Sequence, residues 1–262
     1  MSLWSSLFGR RGQSATGPLD FIDFASTDAP IYAIGDVHGR LDLLIELEAQ
    51  IHEDSGGKAE ILLLGDFVDR GPETAALLDH LTGLETSDGL RFHAIRGNHE
   101  DMFLQFATDP ARNRKWLDYG GDATLASYGA FGDPLDGFQI NDRRLAQIVA
   151  AHVPPEHIQF LSSLPYLAMS DGYVFVHAGL DPSKPPAAQH PDVLMWSDPH
   201  QLDRAEYDFT VVHGHISVES AEILPRRINV DTGAWKTGVL TAVRIGHGEK
   251  PRLVQTGKAE RA

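Results

Sequence analysis

Residues 31–39 read IYAIGDVHG, in which four apolar residues are followed by a Gly-Asp turn. The same form returns at residues 61–71, which read ILLLGDFVDRG, and a third apolar run, FHAI at 92–95, stops at Arg-Gly-Asn. Residues 41–53 and 74–84, between these runs, have the spacing of amphipathic helices. The polar turns recur at intervals of roughly 30 residues, the length of a strand–helix–strand unit. The pattern predicts parallel strands that are buried on both faces at the centre of a sheet.

The second half of the chain is richer in strands. Apolar runs at 173–176 and 209–212 stop at polar clusters, and we expect closing strands at 228–230 and 239–245. Five apolar runs in all end in polar side chains, and such side chains gather at the carboxyl edge of an α/β sheet. The clusters are Asp36-Val37-His38, Asp66, Asn98-His99-Glu100, His177 and His213-Gly214-His215. This mixture of aspartate, asparagine and histidine favours a pair of divalent cations with a shared carboxylate.

The composition narrows the chemistry further. The 262 residues include 22 Lys and Arg against 37 Asp and Glu, and the formal net charge of −15 argues against a nucleic-acid partner. Cysteine is absent, which excludes disulfides, thiolate zinc sites, iron–sulfur clusters and cysteine nucleophiles. No apolar run reaches the roughly 18 residues of a membrane span, so we expect no stable membrane insertion.

The chain is expected to contain one domain with a tail at each end. We place a flexible N-terminal tail at 1–28, the domain at 29–250 and a C-terminal tail at 251–262. The first residues lack the long apolar segment of a secretory signal, and we therefore expect a cytoplasmic protein. No pattern in the sequence predicts an oligomeric state.

Seven motifs together resemble the signatures of the phosphoprotein phosphatase family, within the calcineurin-like metallophosphoesterases, in the form of bacterial serine/threonine protein phosphatases. They are GDVHG (35–39), GDFVDRG (65–71), GNHE (97–100), VHAGL (176–180), WSDP (196–199), HGH (213–215) and DTGA (231–234). The resemblance runs from about residue 31 to residue 245. It implies an α/β fold of four layers, αββα, with two mixed sheets and a binuclear metal site at the carboxyl ends of the strands.

The resemblance also implies the metal ligands. They would be Asp36, His38, Asp66, Asn98, His177 and His215. Asp66 would bridge two divalent ions, for which Mn is the first choice and Fe and Zn are alternatives. His213 would support the ligands, and an exchange of His213 and His215 is the alternative.

The same resemblance implies the catalytic residues. A hydroxide shared between the metals would attack phosphorus, His99 would protonate the leaving oxygen, and Asp69 would orient His99. Arg70 and Asn98 would bind the phosphate. Many bacterial relatives carry a second phosphate-binding arginine directly after the tryptophan of the WSDP segment, where this chain has Ser-Asp. We predict that Arg204, the nearest arginine downstream, makes this phosphate contact, with Arg226 and Arg227 as the next candidates.

These roles imply a metal-dependent phosphomonoesterase that acts on phosphoserine and phosphothreonine in proteins, with phosphotyrosine as a further substrate. The alternative is a symmetrical diadenosine-tetraphosphate hydrolase or another small-molecule phosphoesterase. Relatives of that kind typically read VARG and GNHD, so Asp69 and Glu100 favour the protein phosphatase. A catalytically inactive binding protein is a third alternative, which predicts the loss of a ligand or of His99, and all of these residues are present.

Overall fold

The computed structural model describes residues 19–84, 89–130 and 141–257. Within these ranges the strands are β1 (Ile22–Asp23), β2 (Ile31–Ile34), β3 (Ala59–Leu63), β4 (Leu90–Ala94), β5 (Leu167–Ser170), β6 (Tyr173–Val176), β7 (Thr210–His213), β8 (Glu222–Ile223), β9 (Arg227–Asn229), β10 (Thr241–Ile245) and β11 (Arg252–Gln255). The α-helices are α1 (Leu41–Ser55), α2 (Thr74–Gly83), α3 (Asn98–Thr108), α4 (Gly121–Ser127), α5 (Asp142–His152), α6 (Pro155–Ser163), α7 (Pro191–Trp196) and α8 (Ala234–Thr237). Short 3-10 helices cover Arg114–Tyr119, Pro186–Ala188 and Pro199–Arg204.

The strands form two mixed sheets. One has the strand order β1-β5-β6-β7-β9-β8, and the other has the order β11-β10-β2-β3-β4. β2, β3 and β4 are parallel neighbours, as the strand–helix–strand spacing predicts. β6, β7 and β9 are also parallel neighbours. The carboxyl ends of the parallel strands therefore bring the loops that follow them to a common edge in each sheet.

Side chains along β2 show how the layers stack. Ile31 and Ala33 belong to the core between the two sheets, whereas Tyr32 and Ile34 share a core with α1 and α2. A third core joins β5, β6 and β7 to α7 on the outer face of the first sheet. The order of layers is helix, sheet, sheet, helix, and the predicted four-layer α/β fold is confirmed.

One strand of the predicted buried set lies at an edge instead. β2 and β3 are buried along their whole length, but β4 is mostly half-buried. In the described part of the chain, no strand pairs with the outer side of β4. The prediction of central burial is therefore right for β2 and β3 and wrong for β4.

The folded domain extends past both boundaries predicted for it. β11 pairs with β10 in the second sheet, and the Leu240 N–H donates to Thr256 Oγ1 at 2.8 Å, so residues 251–257 belong to the domain and not to a tail. β1 pairs with β5, and Phe24 is buried between the sheets, so residues 19–28 belong to the domain as well. The remaining parts of the predicted tails, 1–18 and 258–262, lie outside the described residues.

The helical stretch before β5 consists of α5 and α6. α6 packs against α2 and α3, and α5 also contacts α3. Both helices therefore pack against the helices that cover the second sheet. Within the described ranges, no helix is both long enough and apolar enough to cross a membrane.

Candidate metal centre

The polar clusters that end five strands meet at one edge of the sandwich. Backbone hydrogen bonds tie their loops together: the His38 N–H donates to the Asp66 carbonyl at 2.9 Å, and the Gly214 N–H donates to the His177 carbonyl at 2.9 Å. Five of the six predicted ligands are almost fully buried, and His215 is half-buried. The structure thus brings all six predicted ligands together.

Five residues other than glycine have a positive φ in the described ranges, and all five belong to the loops at this edge. They are His38 (φ 44°), Asp66 (53°), Asp69 (74°), Arg70 (69°) and His215 (70°). A side chain seldom adopts this left-handed conformation, because its Cβ crowds the backbone. Backbone strain is therefore concentrated where several side chains must point toward one place.

Asp36, His38 and Asp66 form a first group of donor atoms. His38 Nδ1 lies 2.7 Å from the Val68 carbonyl, which can only accept, so this nitrogen carries the proton. His38 Nε2 therefore presents a lone pair, 3.6 Å from Asp66 Oδ2 and 3.9 Å from Asp36 Oδ2. Asp36 Oδ2 is buried and has no hydrogen-bond partner among the described residues. An orphaned carboxylate oxygen beside an imidazole lone pair is what a bound cation would satisfy.

Asn98, His177 and His215 form a second group, next to Asp66. His177 Nδ1 lies 2.9 Å from the Leu64 carbonyl, so His177 Nε2 carries the lone pair. That nitrogen lies 2.7 Å from Asn98 Oδ1 and 3.5 Å from Asp66 Oδ1. His215 Nδ1 lies 3.0 Å from the same amide oxygen. His177 Nε2 and Asp66 Oδ1 are both acceptors, so no hydrogen bond joins them. A bound cation would stabilise both atoms.

Burial keeps the imidazoles of the centre neutral. Burial, followed by the charge of His99, lowers the pKa of His38 well below its usual value, and burial with His215 does the same for His177. Burial lowers the pKa of His215 to about 4. Neutral imidazole is the form of histidine that binds a metal.

The carboxyl groups respond to burial in the opposite direction. Burial raises the pKa of Asp66 to about 6, and burial together with Asp231 and Asp66 raises that of Asp36. Donor atoms within 4.8 Å of one another occur in two buried groups, His38-Asp66-His99 and Asp36-Asp66-His177. Asp66 is common to both groups, as a bridging carboxylate must be. The donor set therefore fits two divalent cations of the Mn, Fe or Zn type.

His99 lies beside Asp69, with its Nδ1 2.6 Å from Asp69 Oδ2. Asp69 is fully buried and accepts from Trp116 Nε1 at 2.7 Å and from Thr124 Oγ1 at 2.8 Å. Burial acts to lower the pKa of His99, but the carboxylates of Asp66 and Asp69 outweigh it and the pKa is raised. A histidine held in this way can keep a proton for transfer to a reacting group.

Two predicted phosphate-binding arginines differ in their placement. Arg70 Nη1 lies 2.7 Å from His38 Nε2, and Arg70 Nη2 lies 3.0 Å from His99 Nε2, so its guanidinium lies within the centre. Arg204 is the exposed last residue of a 3-10 helix, and in the described part of the chain no hydrogen bond or ion pair joins it to the centre. The role of Arg204 stays a prediction.

Glu100 fastens the loop that carries Asp66. Its Oε2 accepts from the backbone N–H groups of Asp66 at 2.8 Å and Gly97 at 2.9 Å. Its Oε1 accepts from those of Phe67 at 2.7 Å and Val68 at 3.2 Å. Burial raises the pKa of Glu100 to about 7, yet all four partners are donors, so the bonding pattern uses the carboxylate. The GNHE motif contains this residue, but the sequence gives no sign of this set of four bonds.

His213 lies behind the centre. It is fully buried, its Nδ1 lies 3.0 Å from the Gly214 carbonyl, and its Nε2 has no hydrogen-bond partner in the described ranges. The neighbouring His215 is the residue whose ring contacts His177 and Asn98.

Comparison with known proteins agrees with this geometry. Residues 29–234 match the family described as calcineurin-like phosphoesterase. This match covers well over half of the chain, and the chain belongs to that family. It is an enzyme of the metallophosphoesterase type, and the predicted class of protein is confirmed.

Individual relatives differ in the substrate that their names give. The chain is similar to serine/threonine-protein phosphatase 2 of Escherichia coli (strain K12), with 25% identity over 229 residues that cover 82% of this chain and 92% of the relative. It is similar, with 25% identity over 237 residues, to the asymmetrical bis(5'-nucleosyl)-tetraphosphatase PrpE of Halalkalibacterium halodurans, covering 81% of this chain and 88% of the relative. A solved structure described as a candidate diadenosine tetraphosphatase has a TM-score of 0.64 at 18% identity, covers 92% of this chain and 100% of that chain, and supports the fold alone.

Proposed function

We propose that the chain is a metal-dependent phosphomonoesterase that removes phosphate from phosphoserine and phosphothreonine in proteins. The observation that carries this proposal is the convergence of two donor groups, which share Asp66, with the His99–Asp69 pair and Arg70. Two ions, with Mn as the first choice, would be held by Asp36, His38, Asp66, Asn98, His177 and His215.

The bound ions supply Lewis-acid activation of water and neutralise phosphate charge. The chain's own residues position the substrate and move a proton. Arg70 offers two N–H groups to the phosphate oxygens, a geometry that suits an oxyanion. His99 Nε2 lies 3.0 Å from Arg70 Nη2 in the substrate-free site, and it would carry the proton for the leaving oxygen once Arg70 turns to the phosphate, while Asp69 accepts from Nδ1. Trp116 and Thr124 fix Asp69, so the imidazole is oriented before substrate arrives.

A phosphorylated protein or small phosphoester would be the partner of this site, in the cytoplasm. The Asn98 side chain would serve twice, with Oδ1 toward the metal and its amide N–H groups toward the phosphate. Arg204 is retained as a candidate for a second phosphate contact, through movement of its exposed side chain.

A second candidate function is the hydrolysis of dinucleoside tetraphosphates. Similarity to the tetraphosphatase named above supports it as strongly as similarity to the protein phosphatase supports the first. Asp69 and Glu100 favour the first candidate over tetraphosphatases of the symmetrical type, which typically carry Ala and Asp at these two motif positions; this distinction does not extend to the asymmetrical type.

A substrate panel separates the two candidates. The protein is stripped of metal, loaded with Mn, and assayed in parallel with phosphoserine and phosphothreonine peptides and with diadenosine tetraphosphate. We expect turnover that depends on Mn and a higher kcat/KM for the phosphopeptides. Asp66→Asn, which removes the shared carboxylate, should bind less than two equivalents of Mn and lose activity. A higher kcat/KM for the dinucleotide would overturn the proposal.

A further inference from the structure

Two tryptophans with exposed rings border the candidate centre. Trp235, in α8, is 40% exposed, and the Arg70 guanidinium carbon lies 5.6 Å from the centre of its ring. Trp196, the last residue of α7, is 47% exposed, and its ring lies 6.2 Å from that of His215 in an edge-to-face arrangement. Each ring lies beside a residue of the centre and keeps part of its surface open to solvent.

The backbone fixes the position of Trp235. Gly233 adopts a left-handed conformation with φ 65°, and its N–H donates to Asp231 Oδ1 at 2.8 Å. The Ala234 carbonyl accepts from Arg40 Nη1 at 3.1 Å. An apolar ring in contact with water forgoes the stabilisation that burial would give it. A ring held open to solvent next to the phosphate-binding arginine is therefore well placed to contact a ligand.

Arg70 connects this ring to the chemistry of the site. Its guanidinium reaches His38 and His99, so a phosphoryl group bound by Arg70 would lie beside Trp235. In an aryl phosphate, one oxygen separates phosphorus from the ring, so the ring can reach Trp235 while the phosphoryl group stays at Arg70. A nucleobase is held farther from phosphorus by its ribose, and phosphoserine and phosphothreonine carry no ring.

We infer that Trp235 is a specificity-determining residue that stacks on an aromatic leaving group, so that it raises kcat/KM for phosphotyrosine relative to phosphothreonine at this site. Trp196 offers a second aromatic surface on the side of His215. The inference rests on the proposed phosphomonoesterase function and names a residue that sets its choice among phosphorylated side chains. Aromatic pairs in offset or edge-to-face geometry strengthen binding by about 2- to 12-fold.

The test compares two peptides of identical sequence, one with phosphotyrosine and one with phosphothreonine. For Trp235→Ala in the Mn-loaded protein, we expect kcat/KM to fall about 2- to 12-fold for the phosphotyrosine peptide and to change little for the phosphothreonine peptide. Trp235→Phe should keep most of the preference, because it keeps a ring. Ile223→Ala, at another exposed apolar residue, on β8, should change neither value. Because each variant is compared with the wild type, the faster intrinsic departure of an aryl group cancels.

Calorimetry provides a readout that does not need turnover. Trp235→Ala should weaken the binding of phenylphosphonate and leave the binding of methylphosphonate unchanged. Equal losses for both peptides and both phosphonates, or no loss for any, would overturn the inference. So would a loss confined to diadenosine tetraphosphate, which would assign the ring to a nucleobase. A wild type that hydrolyses no monoester refutes the proposed function, whereas calorimetry still decides whether Trp235 binds an aromatic group.

Discussion

His99 occupies a position that is open to two chemical roles. Its Nδ1 bonds Asp69, as expected of a proton donor, but its side chain also belongs to a donor group with His38 and Asp66. The contact with Asp69 favours the acid role, because that carboxylate is held by two further donors and accepts from the ring.

His99→Asn separates these roles. We expect kcat to fall by about 10²- to 10⁴-fold, the usual contribution of a general acid, while two Mn ions per chain remain bound. Steady-state kinetics and metal analysis of the same preparation check both expectations. Asp69→Asn is the matched variant and should lower kcat in the same direction. Loss of Mn from His99→Asn would instead make His99 a ligand.

Glu100→Gln probes the fastening of the Asp66 loop. The carboxamide has one accepting oxygen, so its NH₂ group would face backbone donors that now bond a carboxylate oxygen. Leaving buried donors unpaired costs about 1–3 kcal/mol, and we expect the free energy of unfolding in urea to fall by that amount. Glu219→Gln, at an exposed position, serves as the control and should change stability by less than about 0.5 kcal/mol. An unchanged stability of Glu100→Gln would show that the four bonds contribute nothing net.

The sequence predicts the site residues that directly follow a strand, but it does not predict residues that support the site from distant parts of the chain. Asp36 and Asp66 end recognisable apolar runs, and the spacing of the runs brings them to one edge. Trp116 and Thr124 lie 47 and 55 residues from the carboxylate that they hold, with no motif around them. Their roles depend on packing of the helical layer, which no local pattern encodes.

At the scale of elements, strands with a long apolar run are readily predicted and short edge strands are not. β2 and β3 are apolar at nearly every position, because both faces are covered. β1 has two residues and pairs with β5, far along the chain, so its sequence alone gives no signal. β11 pairs with β10 but has charged and polar residues at its ends, so it carries no long apolar run and lies within the predicted tail, 251–262.

Removal of β11 tests whether this strand stabilises the domain. A chain that ends at residue 250 loses the hydrogen bonds to β10 and the packing of Val254 against the core. At about 1 kcal/mol for each hydrogen bond, we expect a loss of a few kcal/mol in the free energy of unfolding, measured in urea. Arg252→Ala removes only an exposed ion pair with Asp54 and should cost about 0–1 kcal/mol. Equal stability of the shortened and full chains would contradict this expectation and support a domain that ends at residue 250.

At the scale of the whole molecule, the buried carboxyl groups link metal binding to pH. The pKa of Asp66 rises from 3.8 to about 6 and that of Glu100 from 4.5 to about 7 in the folded, metal-free protein. The folded state then binds protons more tightly than the unfolded state, so their contribution to stability is present at low pH and declines from about pH 4 to pH 7. His215 acts in the opposite direction, because its folded-state pKa of about 4 lies below the ordinary value of 6.5 and its contribution to stability grows with pH between these two values.

We therefore expect the difference in Tm between Mn-loaded and metal-free protein to grow from pH 5 to pH 8. Mn competes with protons for the carboxyl groups of Asp36 and Asp66, whose pKa values are raised in the metal-free protein. Each kcal/mol of stability corresponds to about 2–4 °C in a chain of this size. Calorimetric melting at a fixed Mn concentration measures this difference in Tm. Groups that titrate alike in the Mn-loaded and the metal-free protein largely cancel from it. Metal-free Asp66→Asn should lose less Tm over the same range. A difference that stays constant with pH would contradict the linkage.

The left-handed backbone at His38, Asp66, Asp69, Arg70 and His215 restricts how this enzyme can diverge. A replacement that suits the conformation, usually glycine or asparagine, discards the side chain, and a bulkier replacement cannot adopt the turn without strain. Each of these positions is thus constrained both by its backbone conformation and by the chemistry of its side chain, so we expect few substitutions to be tolerated there. Trp235 carries only one of these constraints. Mutation of residues that border the centre, such as Trp235, would change the substrate, while the reaction itself stays the same.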